Sequence, residues 1–172
     1  MGSTSTQSSS FSYSDSFESR CLQRAHPYED GQALVDGIVQ STTFARCAVG
    51  TNPEHQYSRV SNPTVSGLEY TLGSLEDAPP AVCFATGLAA ETALFLSLLR
   101  AGDHVICGRS VYGGTTRLFQ QLFSELGVET TFVDSSSADA VQIAVRPNTR
   151  LIFVETPANP TLGITDISAI AK

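Results

Sequence analysis

Short apolar runs and longer segments with helical spacing alternate along the chain after residue 64. The runs begin roughly 20 to 26 residues apart and are rich in β-branched residues, which is typical of strands. Because neighbouring parallel strands need a crossover connection, this βα repeat predicts an α/β fold with a doubly wound, mostly parallel sheet. The four predicted strands are Ala81–Phe84, His104–Cys107, Thr130–Val133 and Leu151–Val154.

Four segments around these runs are predicted to be helices. Leu88–Leu99 is apolar nearly all round, so we expect most of its surface to be buried. Leu118–Leu126 has apolar residues at helical spacing opposite polar ones, which is typical of an amphipathic helix that covers a sheet. Val65–Leu75 and Ala138–Val145 are the other two predicted helices.

The composition divides the chain into three segments. Residues 1–24 are rich in serine and poor in aliphatic side chains, which favours a disordered tail, with a transit peptide as the alternative. Residues 25–64 are interrupted by three prolines, which favours an extended N-terminal arm. Residues 65–172 form the predicted α/β domain.

The last residues have the pattern of a helix start. Thr165 or Asp166 is suited to cap a helix whose apolar face begins at Ile167. In the alternation of strands and helices, a further strand should follow. We therefore expect that the chain lacks the C-terminal half of its domain.

Charge and hydropathy narrow the possible functions. The 172 residues carry 10 Lys and Arg against 17 Asp and Glu, and the net charge of −7 argues against binding nucleic acid or anionic lipid by charge alone. No apolar run reaches the roughly 18 to 20 residues that a membrane-spanning helix needs. These features favour a cytoplasmic protein without nucleic-acid or membrane partners.

The cysteines, the last histidine and the single lysine limit the chemistry further. The four cysteines lie 26, 36 and 24 residues apart in sequence, which does not suit structural zinc, so we expect no metal site. His104 begins a predicted strand, where we expect an edge or surface role. The only lysine is Lys172, so a reaction that needs an internal lysine amine has no candidate.

The turns after the predicted strands hold the candidate site, because doubly wound sheets bind ligands at the carboxyl ends of their strands. Thr86 is placed to cap a helix whose first N–H groups, at Gly87 and Leu88, would form an anion site. A plain capped helix is the alternative. Tyr112 stands beside two glycines, where its ring could stack on a flat ligand or simply pack at a helix start.

Two irregular segments complete the candidates. The segment 155–160 follows the fourth predicted strand, and we expect Thr156-Pro157 or Asn159-Pro160 to be cis. Upstream, Tyr57 and Arg59 join an aromatic hydroxyl to a guanidinium that could hold a phosphate through forked donors, although a loop arginine is commonly just solvated. The usual nucleotide-binding loops are absent, and a hydrolase elbow fails because no histidine follows it.

Together these segments resemble one family. In order and spacing they are similar to the pyridoxal-phosphate-dependent enzymes of cysteine and methionine metabolism, over about Val35 to Lys172, and most of all to the cystathionine gamma-synthase and gamma-lyase branch. The motifs that carry the resemblance are Tyr57-Ser58-Arg59, Asn62-Pro63-Thr64, Leu75-Glu76, Thr86-Gly87-Leu88-Ala89-Ala90, Gly102-Asp103, Tyr112-Gly113-Gly114-Thr115 and Glu155-Thr156-Pro157-Ala158-Asn159-Pro160.

The resemblance implies the fold-type I transferase large domain, of which residues 65–172 would be the N-terminal part, and pyridoxal 5'-phosphate (PLP) as cofactor. Tyr112 would stack on the cofactor ring and is the candidate catalytic residue. The Gly87 and Leu88 amides, with Thr86 beside them, would hold the phosphate. The other implied cofactor-binding residues are Tyr57 and Arg59, serving the phosphate of a neighbouring subunit's cofactor in a homotetramer, and Glu155 and Asn159, beside the ring and its phenolic oxygen.

The resemblance also implies what these residues lack. The family's aspartate on the pyridine nitrogen, its Schiff-base lysine and the arginine that grips the substrate carboxylate should all follow Lys172. We do not assign Lys172 as that lysine, because it matches a helix position before the next strand. The stretch alone is therefore expected to be inactive.

Three functional hypotheses remain open. In the first, the chain is the N-terminal part of a trans-sulfuration enzyme that performs gamma-replacement or gamma-elimination on an activated homoserine or a sulfur amino acid. The O-acetylhomoserine sulfhydrylase and methionine gamma-lyase branches are alternatives within it. In the second, the chain is a non-catalytic partner of a complete subunit. In the third, it is an isolated anion-binding α/β module.

Overall fold

The computed structural model of the chain describes residues 16–22, 31, 33 and 35–172. It divides into two units, one ending at Cys83 and the other beginning at Phe84. The predicted division into tail, arm and domain stays a prediction. Residues 1–15, 23 and 24 of the predicted tail and residues 25–30, 32 and 34 of the predicted arm lie outside the described residues.

Two helices form the framework of the first unit. Helix α1 (Phe17–Leu22) lies within the segment predicted to be a disordered tail. It is tied to the end of helix α2 (Pro63–Leu75), because the Arg20 guanidinium donates to the Ser74 carbonyl and, at 2.6 Å, to Asp77 Oδ1.

The start of α2 is set by its capping residue. Asn62 Oδ1 accepts the Thr64 N–H at 2.9 Å, and Pro63 occupies the first helical position, where its missing N–H costs nothing. The buried Asn62 amide also donates to the Val39 carbonyl and to Ser58 Oγ. One side chain thus fixes both the helix start and two points on the arm.

The predicted strand Ala81–Phe84 is wrong. Among the described residues this segment has no regular secondary structure and joins no sheet. Its backbone is bound to a helix, because the N–H groups of Ala81 and Cys83 donate to the carbonyl and the carboxylate of Glu69, each at 2.9 Å. In the part of the chain that the structure describes, no neighbouring strand supplies a ladder for this segment.

A three-stranded parallel sheet organises the second unit. Its strands are β1 (His104–Gly108), β2 (Glu129–Val133) and β3 (Thr149–Phe153), in the order β2-β1-β3. The central strand β1 pairs in parallel with both neighbours. The predicted α/β class with a parallel sheet is confirmed, and three of the four predicted strands are present.

Helices cover both faces of this sheet. The first group is α3 (Gly87–Leu98) and α4 (Gly113–Arg117), which continues as a π-helical segment, Leu118–Phe123. The second group is α5 (Ala138–Ala144) and α6 (Ile167–Ile170). None of the helices in the described part of the chain is long and apolar enough to cross a membrane.

The two faces follow from the alternation of side chains along β1. Val105 and Cys107 enter a cluster with residues of α3 and the π-helical segment, whereas Ile106 points to the opposite face and packs with Val133 and Val141. In the larger cluster the Phe95 ring lies 4.6 Å from that of Phe119, centroid to centroid. Each such aromatic pair contributes about 0.5 to 1.5 kcal/mol beyond the area it buries.

Helix α3 is less buried than its sequence predicts. Phe95 and the capping residue Leu99 are in the core, but Leu94, Leu96 and Leu98 each remain about half exposed. The prediction that most of its surface is buried is therefore wrong for the described residues. The reason is that the cluster on this face of the sheet takes up only one side of the helix.

The expected surface or edge role of His104 is also wrong. Its side chain is completely buried and joins all three strands, with Nδ1 2.8 Å from Thr149 Oγ1 and Nε2 2.9 Å from Thr131 Oγ1. Arg146 donates to both hydroxyls and pairs with Glu129 at 2.6 Å. Burial lowers the pKa of His104, the Arg146 charge lowers it further, and the Glu129 charge opposes them.

We expect Gly73→Ala to destabilise the first unit by about 2 kcal/mol. A Cβ at Gly73 would lie 2.8 Å from the Pro79 carbonyl carbon and 2.8 Å from Pro80 Cα, and neither backbone atom can move freely. Gly67→Ala is the control in the same helix, because its nearest contact would be Asp36 Oδ2 at 3.7 Å. That change should add up to about 1 kcal/mol through helix propensity. Urea unfolding measures both, and equal effects would contradict the prediction.

We expect the chain to lose stability as the pH falls below the usual histidine pKa of about 6.5. In that range His104 binds a proton in the unfolded chain but not in the folded chain, where its pKa is lowered. A falling pH therefore favours unfolding until it drops below the pKa of His104 in the folded chain. Urea titrations between pH 7 and about pH 5 measure this slope. His104→Gln should flatten it and His55→Gln should retain it. The same slope in all three chains would refute the role of His104.

Candidate functional site

The strand order places the candidate site between β1 and β3. The chain runs from β1 to β2 on one side and then returns to β3 on the other side of β1. At such a reversal the connections leave the carboxyl ends of adjacent strands in opposite directions and open a crevice, where doubly wound sheets bind ligands. Residues 109–112 follow β1 at this edge, and residues 154–160 follow β3.

Tyr112 and Glu155 meet at this crevice. The backbone N–H of Tyr112 donates to Glu155 Oε2 at 2.8 Å. Tyr112 precedes the first residue of α4 and makes no side-chain cap, so the carboxylate from the other loop binds the chain where this helix begins. The Tyr112 ring remains 60% exposed and is available to a ligand.

The start of α3 has the predicted capping arrangement. Thr86 Oγ1 accepts the Ala89 N–H at 3.1 Å, which confirms Thr86 as the N-cap. Gly87 and Leu88 are the first two helical residues, so their N–H groups have no partner inside the helix. These groups and the helix dipole favour an anion at this point.

Gly114 brings the start of α3 and the Tyr112 ring together. A Cβ built on Gly114 would lie 2.8 Å from Leu88 Cδ1 and 2.9 Å from Tyr112 Cδ1, and would also meet Tyr112 Cε1. The side chains of Leu88 and Tyr112 therefore occupy the space that a side chain at Gly114 would need. The start of α3, with its free N–H groups, and the exposed Tyr112 thus both lie next to Gly114.

The segment after β3 folds back on itself. Thr156-Pro157 and Asn159-Pro160 are both cis, which confirms the expectation of at least one cis bond. Ala158 donates its N–H to the Gly163 carbonyl at 3.1 Å, and Asn159 is exposed next to it. The proposed contact of Asn159 with a ligand stays a prediction.

A polar pocket of about 210 Å³ lies beside this loop. Glu155 lines it together with Ser110 and Asp134, which follow β1 and β2, and with Ser135 and Thr165, whose hydroxyls are 2.9 Å apart. Hydrogen bonds from the Ser136 side chain and backbone lower the pKa of Asp134. Sequence reasoning identified Glu155 but missed the other four pocket residues, although Ser110, Asp134 and Ser135 each lie within two residues of a strand end.

Tyr57 and Arg59 belong to the first unit. The Arg59 guanidinium lies over the Tyr57 ring, 4.9 Å from its centroid, in a cation–π contact. Tyr57 is also paired with Thr43 in an isolated antiparallel bridge. The structure thus brings Tyr57 and Arg59 to each other, and brings Thr86, Gly87, Leu88, Tyr112 and Glu155 together in the second unit.

Lys172 lies apart from the candidate residues. It lines an apolar pocket of about 690 Å³ together with residues of α5 and α6 and with Ile152 of β3. No candidate cofactor-binding residue lines that pocket. In the described part of the chain no group of three or more His, Cys, Asp or Glu is placed to hold a metal ion.

The chain is similar to known proteins along most of its length. A family model described as "Cys/Met metabolism PLP-dependent enzyme" matches residues 21–172. The chain is 48% identical over 140 residues to a probable cystathionine gamma-synthase of Herpetosiphon aurantiacus, covering 81% of this chain and 44% of that protein. It is 42% identical over 134 residues to a cystathionine gamma-lyase of Bacillus subtilis, covering 78% and 35%.

A solved structure gives the same result for the fold. The crystal structure of metB from Corynebacterium glutamicum superposes with a TM-score of 0.83 at 41% identity, covering 92% of this chain and 42% of that one. The chain thus spans less than half the length of the relatives it matches.

Proposed function

The chain belongs to the PLP-dependent enzymes of cysteine and methionine metabolism, and on that premise we propose that it forms the cofactor-holding part of a trans-sulfuration enzyme. The reaction would be gamma-replacement or gamma-elimination on an activated homoserine or a sulfur amino acid. The similarity to a cystathionine gamma-synthase and to a cystathionine gamma-lyase supports this substrate class.

The observation that carries the proposal is that the side chains of Leu88 and Tyr112 both lie next to Gly114. PLP combines a phosphate with a flat pyridine ring, so a site for it needs anion-binding groups beside a stacking surface. The N–H groups at the start of α3, which have no partner inside the helix, and the exposed Tyr112 residue have this chemistry, and the side chains of Leu88 and Tyr112 both lie next to Gly114. The residues present therefore fit the cofactor.

Each candidate residue has a role that its surroundings support. Gly87 and Leu88 would bind the phosphate through their N–H groups, and Thr86 would keep the helix start in place. The Tyr112 ring would cover one face of the cofactor and orient it for the substrate, which is the sense in which Tyr112 is the candidate catalytic residue. When bound, PLP supplies an electron sink for the carbanion chemistry.

Glu155 has a positional role in the proposal, because it already binds the Tyr112 backbone. Asn159, which is exposed in the same segment after β3, would reach the phenolic oxygen of the cofactor. Tyr57 and Arg59 would bind the phosphate of a neighbouring subunit's cofactor, because a hydroxyl and a guanidinium can both donate hydrogen bonds to phosphate oxygens. That role requires a homo-oligomer with shared active sites, which we propose to be a homotetramer.

The 172 residues by themselves are proposed to be inactive. Covalent attachment of the cofactor needs a lysine amine, and the only lysine, Lys172, lines a pocket with residues of α5 and α6. This observation also favours a second candidate function, a non-catalytic subunit that serves a complete partner through Tyr57 and Arg59. A cytoplasmic location is proposed as well, and the net charge of −7 argues against nucleic acid as a partner.

We expect Gly114→Ala to weaken PLP binding by about fivefold, because a methyl group at this position displaces the Tyr112 ring and Leu88. Gly113→Ala is the matched control, since a Cβ there meets no atom within 4 Å. The measurement is an absorption titration of each chain with PLP, with inorganic phosphate as competitor. Failure of the unsubstituted chain to bind PLP would overturn the proposed function.

We expect no turnover when the chain and PLP are incubated with cysteine and a homoserine ester, or with cystathionine. Co-expression with the remaining part of the Herpetosiphon aurantiacus relative should give turnover, and Tyr112→Ala in this chain should then reduce it. Turnover by the chain alone would contradict the proposed inactivity. A co-expressed pair that binds PLP but converts neither kind of substrate would contradict the proposed reaction.

A further inference from the structure

One hydrogen bond joins the two helices that carry the proposed cofactor site. The Thr115 hydroxyl donates to Glu91 Oε2 at 2.6 Å. Thr115 is completely buried and is the third residue of α4, and Glu91 is the fifth residue of α3. The bond therefore links the second turn of α3 to the first turn of α4.

Glu91 is an unusual residue for its place in the sequence and in the fold. Helix α3 is otherwise almost entirely apolar. The Glu91 charge acts on the buried Cys107 thiol, whose pKa burial and this charge together raise to about 12, so the carboxylate lies close to the core. Partial desolvation of a carboxylate costs free energy that an apolar side chain would not cost. What the carboxylate adds is an acceptor for the Thr115 hydroxyl.

Each end of this bond lies about one helical turn from a proposed cofactor contact. Glu91 follows Gly87 and Leu88, whose N–H groups face the proposed phosphate site. Thr115 follows Tyr112, and its N–H donates to the Tyr112 carbonyl at 2.9 Å. A change in the Thr115 position is therefore passed directly to the backbone of the stacking residue.

We propose that Glu91 and Thr115 are positioning residues for PLP, which fix the Tyr112 ring relative to the phosphate-binding N–H groups of α3. The inference rests on the proposed function, because it concerns the same site. The apolar atoms of Leu88 and Tyr112 that lie next to Gly114 make non-directional contacts, whereas a hydrogen bond between buried groups has one preferred geometry. The bond thus sets the spacing between phosphate and ring sites.

The test compares Thr115→Val with Thr115→Ser in the full chain. Valine has the shape of threonine without the hydroxyl, and serine keeps the hydroxyl. We expect Thr115→Val to bind PLP about tenfold more weakly, as the loss of a hydrogen bond to a charged group predicts, and Thr115→Ser to stay within about twofold of the unsubstituted chain. The circular dichroism that bound PLP acquires should weaken in Thr115→Val and persist in Thr115→Ser.

Three further variants separate positioning from general loss of stability and test whether Glu91 and Thr115 act together. Val141→Ala removes buried methyl groups from the opposite face of the sheet, so it should lower stability and leave PLP affinity unchanged. Glu91→Leu should weaken PLP binding as Thr115→Val does. The double variant with both changes should bind PLP no more weakly than either single variant.

The outcomes separate this inference from the proposed function. Unchanged PLP affinity in Thr115→Val, equal losses in the valine and serine variants, or an equal loss in Val141→Ala would overturn the positioning role while the proposed function stands. If the unsubstituted chain binds no PLP, the proposed function fails and this inference fails with it.

Discussion

The pairing of β1 with a parallel neighbour on each side is the constraint on which the second unit depends. All five residues of this strand are buried, because helices lie over both of its faces. A parallel neighbour can be reached only through a crossover, and the crossover from β2 to β3 carries the chain past β1 to its other side. The crevice between the carboxyl ends of β1 and β3 is a product of topology, and it brings residues 43 positions apart, Tyr112 and Glu155, into hydrogen-bonding distance.

Local sequence signals were sufficient wherever the structure depends on neighbouring residues. The helix starts at Asn62 and Thr86 follow from side chains that can accept a nearby backbone N–H. Strands β1, β2 and β3 follow from β-branched apolar runs between glycine and polar residues. The identity of the cofactor came from a resemblance between motifs, since no one turn specifies PLP by its chemistry alone.

The remaining features depend on contacts that no local pattern contains. Ala81–Phe84 has the apolar pattern of a strand, but the N–H groups of Ala81 and Cys83 donate to Glu69 of α2. His104 is a polar residue at a strand start, and only the hydroxyls of Thr131 and Thr149 on the neighbouring strands make its burial tolerable. Glu91 stands out as the one acidic residue of an apolar helix, which could have marked it for attention, but its partner becomes known only from the fold.

The burial of Cys107 has a consequence for the reactivity of the folded chain. Alkylating reagents attack the thiolate, and a pKa raised to about 12 in a side chain with no exposed surface leaves almost none of that species. Cys21 and Cys47 are exposed and free to react. Because Cys107 lies in the central strand, its modification requires the sheet to open. The rate at which Cys107 is alkylated therefore reports how often the sheet opens.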